Sequence, residues 1–65
     1  MTTAQHIRSF RNETLRAIEY AEGVEKWHYD PRTKAMLRMQ IRSAKAGGLS
    51  AAQWLVNYRN KALAV

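Results

Sequence analysis

A chain of 65 residues makes one domain and buries only about 60% of the surface its unfolded form exposes; it has little room for a water-excluding pocket, so a binding protein is expected rather than an enzyme. It has no cysteine, which removes disulfides and thiolate metal sites, and its eleven Lys and Arg against five Asp and Glu give a net charge of +6. No apolar run approaches the ~20 residues of a membrane span, and MTTAQHIRSF lacks the continuous apolar stretch of a secretory leader, so a cytoplasmic protein without cofactors is expected.

Thr2 or Thr3 opens the first helix, with Gln5 answering Thr2 in a capping box. Ile7, Phe10, Ala17, Ala21 and Val24 recur at the helical period, Thr14 fills the gap between them, and Leu15 and Ile18 widen one edge. Because one glycine costs about 1 kcal/mol without ending a helix, the segment is expected to pass Gly23 and reach about His28; a stop at Gly23 is the alternative. Its acids have partners at helical spacing, Glu22 with Lys26 and a ladder of Glu13, Arg16 and Glu19, so no general-acid role is needed. Trp27, His28 and Tyr29 are expected to plug one end of the core, and a platform for stacking single-stranded bases is the other reading.

Asp30-Pro31 starts the second helix: Asp accepts from the orphan amides, and Pro at the first helical position gives up no needed N–H. The helix is expected to run to about Ala46, to bury Met36, Leu37, Gln40, Ile41 and Ala44, and to be followed by Gly47 as the left-handed residue. Lys34, Arg38, Arg42 and Lys45 fall on one face. Every acid lies at or before Asp30, so this ridge has none on its own helix to pair with. It is a candidate grip for phosphates; a solvated face that keeps the protein soluble is the plainer reading.

Ala44-Lys-Ala-Gly-Gly48-Leu49-Ser50 resembles the turn of a helix-turn-helix DNA-binding motif, over about residues 40–60. Ala44 is the small residue four before Gly48 that lets two helices approach, and Trp54 falls on a position the motif buries. Ser43, Gly47 and Asn57 depart from it, standing where that family places apolar residues; an ordinary helical hairpin with a glycine cap fits the same sequence. Ser50 is expected to cap the third helix, with Gln53 completing a capping box and Leu49 stapled to Trp54. The resemblance implies a third helix lying in the major groove. There Gln53, Asn57, Asn60 and Lys61 offer amides suited to adenine and a cation for guanine or phosphate, although the same residues suit any water-facing helix.

The opposite side of the third helix is broader than one contact requires. Ala51, Trp54, Leu55, Tyr58 and Ala62 form an arc that Ala52, Val56 and Leu63 extend to about 200°, with Arg59 inside it. The surplus of Ala52, Val56, Arg59 and Leu63 is expected to form a second packed surface, either a homodimer interface or a groove for an acidic protein partner. Arg59 either crosses it to Glu19 or Glu22, or lays its stem over Trp54 or Tyr58. His6 and His28 have no cluster of further ligands, so no metal is expected, and the basic second helix has too few bulky apolar residues for a membrane surface.

The expected architecture is all-α, a compact three-helix domain over residues 1–65 whose second and third helices form a degenerate helix-turn-helix. Two functions fit. One is a regulatory or architectural DNA-binding protein, with DNA favoured over RNA. The other is a protein interaction module or inhibitor acting through the apolar face of the third helix, of the size mobile genetic elements encode.

Overall fold

The helical periodicities are realised as α1 (Thr3–Trp27), α2 (Pro31–Lys45) and α3 (Leu49–Leu63) in the computed structural model, which describes residues 3–64 except for the side chains of Ala4 and Ile7. Each helix packs on the other two, so the domain is an all-α three-helix fold. α2 runs back along α1, bringing Arg38 to Glu25 and Lys45 to Glu22, and α3 returns beside α1, bringing Tyr58 to Tyr20.

α1 passes through Gly23, where an added Cβ would meet nothing, and ends at Trp27. The expected cap at Thr2 lies outside the described residues. Ala17, Ile18, Ala21 and Val24 are buried, and Thr14 fills its place in the stripe by turning its hydroxyl back to donate to the Phe10 carbonyl at 2.9 Å. Leu15 does not join them and stays 54% exposed, because ~100° per residue carries it well round the helix from Ala17 and Ala21.

Asp30 makes the corner into α2. Its carboxylate accepts from the Arg32 amide at 3.2 Å and the Thr33 hydroxyl at 2.8 Å, while Pro31 occupies the first helical position. These bonds hold the Asp30 carboxyl below its ordinary value of 3.8, the Thr33 hydroxyl contributing most and the Arg32 amide next. Leu37, Ile41 and Ala44 form the buried stripe of α2. Met36, expected among them, is exposed; it precedes Leu37 by one residue and is therefore rotated onto the flank, where its sulfur accepts from the half-buried Gln40 amide.

The turn into α3 is a Schellman motif. The Gly47 amide donates to the Ala44 carbonyl at 3.1 Å and the Gly48 amide to the Ser43 carbonyl at 2.9 Å, with Gly47 at φ +94. Gly48 has no room for a side chain, since a Cβ would lie 2.6 Å from Ser43 Oγ and 2.9 Å from its carbonyl oxygen. This close turn brings Gly48 into the N-cap position of α3, so the expected cap at Ser50 does not form: Ser50 falls inside the first turn. Gln53 donates to Asn57 Oδ1 at 3.0 Å instead of completing a capping box, and the expected staple is absent, with Leu49 74% exposed and Trp54 stacked on Tyr58 at 5.5 Å.

Candidate nucleic-acid interface

Three of the four ridge residues lie along the seam between α1 and α2. Arg38, Arg42 and Lys45 line a cleft of about 310 Å³ together with Glu22, Glu25, Lys26 and Ile41. Arg38 Nη2 donates to Glu25 Oε1 at 2.7 Å, and Lys45 Nζ to Glu22 Oε2 at 3.2 Å. α2 has no acid, as its sequence states, but α1 supplies two across the seam. Glu22 thereby turns to Lys45 instead of its expected partner Lys26. Both pairs are solvent-accessible, so each contributes only ~0.2–1 kcal/mol.

Among the described residues these are the two ion pairs, and the remaining Lys and Arg have no carboxylate partner. Lys34 is half-buried and Arg42 exposed, so two of the four expected ridge residues keep an uncommitted charge, and Lys26 adds another at the cleft.

On α3 the side chains of Gln53, Asn57, Asn60 and Lys61 are all exposed, on the side away from Ala51 and Leu55. No hydrogen bond or ion pair among the described residues links this amide face to the ridge; within it Gln53 is bonded to Asn57. Ala44 is buried, Gly48 closes against Ser43, the connection from α2 to α3 is three residues long, and Asn57 is exposed.

The expected partner surface is altered most. Ala52 and Val56 are buried in the chain's own core beside Ala51 and Leu55. The broad apolar arc has a simple cause: α3 packs on two helices at once, and two neighbours need roughly twice the ~100° stripe of one. Of the four residues, Leu63 is exposed and Arg59 half-buried without an ion pair among the described residues, so it reaches neither Glu19 nor Glu22. Ala62, expected in the arc, is exposed at the end of α3.

Two surface features stand apart from those expectations. A groove of about 460 Å³ runs between the first half of α1 and the α2–α3 turn, lined by Phe10, Leu15, Ile18, Leu49 and Ala52, with Arg11 and Lys45 at its edge. Its signal in the sequence is two leucines that fall off the helical stripes. At the other end, Trp27 and Tyr29 are 70% and 91% exposed, so the expected aromatic plug is instead an open surface.

The described residues contain no group of three or more potential metal ligands and no helix long and apolar enough to cross a membrane. The chain matches no family model, and no curated protein or solved structure is significantly similar to it.

Proposed function

We propose that this is a small cytoplasmic DNA-binding protein, without catalytic activity, that holds phosphates along the α1–α2 seam and presents the amide face of α3 to base edges. One observation carries the reading: folding leaves the positive charge largely uncompensated. Only Arg38 and Lys45 of the eleven Lys and Arg meet a carboxylate among the described residues. Lys26, Lys34 and Arg42 therefore attract a polyanion, and Arg38 and Lys45 can exchange their exposed pairs for phosphate contacts. Exposed Gln53, Asn57 and Asn60 supply the donor and acceptor pairs that fit adenine.

The test is duplex binding by two double variants. Lys34→Ala with Arg42→Ala should weaken binding uniformly across sequences and lower the salt dependence. Gln53→Ala with Asn57→Ala should relax sequence preference and leave the salt dependence unchanged. A duplex affinity that ignores both pairs would remove the proposal.

The groove favours a second reading, capture of an acidic amphipathic helix from a protein partner. Leu15 of α1 and Leu49 of α3 are exposed apolar anchors in its lining, and Arg11 and Lys45 add the complementary charge. Leu15→Asp separates the readings, since it blocks the groove and leaves the seam and the α3 amides untouched. Duplex binding that survives Leu15→Asp favours DNA. Weak duplex binding together with a partner helix lost on Leu15→Asp favours capture.

A further inference from the structure

We infer that Trp27, His28 and Tyr29 form a preassembled stacking platform for unpaired bases of a single-stranded nucleic acid, at the corner between α1 and α2. The three rings make a slipped ladder. The Trp27 and His28 centroids are 6.0 Å apart with planes 23° from parallel, and those of His28 and Tyr29 are 5.1 Å apart at 14°. Both outer rings are open to solvent. Aromatic area of this size is unfavourable in water, so a ladder that the fold holds together and does not bury has a surface to offer.

Its order is built in. The His28 amide continues the helix by donating to the Val24 carbonyl at 2.9 Å, and the Asp30 amide donates to His28 Nδ1 at 3.0 Å, fixing the orientation of the middle ring. Asp30 in turn is locked by its bonds to Arg32 and Thr33. A base therefore meets rings already aligned, and little freedom is lost on stacking.

The surrounding charge selects the occupant. Lys26 and Arg32 are exposed beside the ladder in sequence, with no ion pair among the described residues. Of the nearest acids, Glu25 is paired with Arg38, and Asp30 keeps its charge but directs its oxygens to the first turn of α2. Stacking faces set among free cations match a strand of bases on a phosphate backbone. A second copy of the chain would bring another net charge of +6 to the same surface.

The platform uses neither the α2 ridge nor the α3 amides and shares only Lys26 with the duplex proposal. The experiment uses the full chain carrying Trp54→Phe, so that Trp27 alone reports, titrated with oligo-dT and oligo-rU of about ten nucleotides, a length within the usual site size. Saturable quenching of Trp27 is expected with at least one strand, and the tighter strand identifies the natural one. In anisotropy, Trp27→Leu and Tyr29→Leu should each weaken that binding by about fivefold or more, the usual worth of one stacked base. Both rings are at the surface, so melting curves of these variants should match the parent. Unmoved Trp27 emission, unchanged affinity in both variants, or quenching only by a neutral proline-rich peptide would overturn it. Oligo-dT or oligo-rU quenching that persists in Lys34→Ala, Arg42→Ala, where duplex binding is weakened, separates the two claims.

Discussion

At the scale of single residues, the glycines show how conformation and space decide separately. Gly23 sits inside α1 with nothing near its missing Cβ, so Gly23→Ala should stabilise the protein by ~0.5–1 kcal/mol, read as a higher Tm. Gly47 is at φ +94, also with open space, and Gly47→Ala should destabilise by ~1–2 kcal/mol through backbone strain alone. Asp30 gives a pH signature. Its carboxyl titrates below its ordinary value when folded, so its stabilisation is fully present above that value and is lost as pH falls through the folded one. Thermal melts should hold level through the mildly acidic range and drop below about pH 4. Asp30→Asn, which can still cap, should remove part of that drop. The Asp30 cap and the left-handed Gly47 were legible in the sequence because each depends on neighbours a few residues away. The Ser50 cap was misplaced because it depends on Gly48 closing against Ser43, a contact that residue preferences do not encode.

At the scale of helices, the α1–α2 seam decides what the positive charge can do. Glu22 and Glu25 hold Lys45 and Arg38, so Glu22→Gln with Glu25→Gln should free both cations. Duplex affinity at low salt should then rise, and the salt dependence should steepen by up to ~0.9 in slope for each new phosphate contact. Capture of a partner helix in the apolar groove would leave duplex affinity unmoved. Helix identity was legible in all three segments, whereas the end of α1 was not, because the sequence fits a stop at Gly23 as well as the observed run to Trp27. The pairing of α2 cations with α1 acids was not, because the partners are 13 and 23 residues apart and only tertiary packing brings them together. The same limit explains Val56, whose burial required knowing that α3 has two neighbours. Val56→Asp should therefore unfold the domain, by placing a charge in its core, whereas Leu63→Asp, at the exposed end of α3, should melt like the parent.

For the whole molecule, stability rests on a narrow core in which Leu37 and Leu55 are the largest fully buried side chains. Leu55→Ala should cost ~2–5 kcal/mol, a large share of what a domain this small holds in reserve, and should leave much of the chain unfolded at ambient temperature. With the interior committed to three-way helix packing, function falls to the surface, which presents a partly neutralised basic seam, an amide-rich helix face, an apolar groove and an aromatic corner. The composition announced the charge, and the fold decided where it remained uncommitted. Whether that surplus charge meets a polyanion is read most directly from the affinity of the unmodified protein for duplex DNA across a series of salt concentrations. Log K should fall linearly with log salt, by ~0.9 for each phosphate neutralised, with a slope corresponding to several contacts. Feeble binding at low salt, or an affinity that salt leaves unchanged, would contradict it.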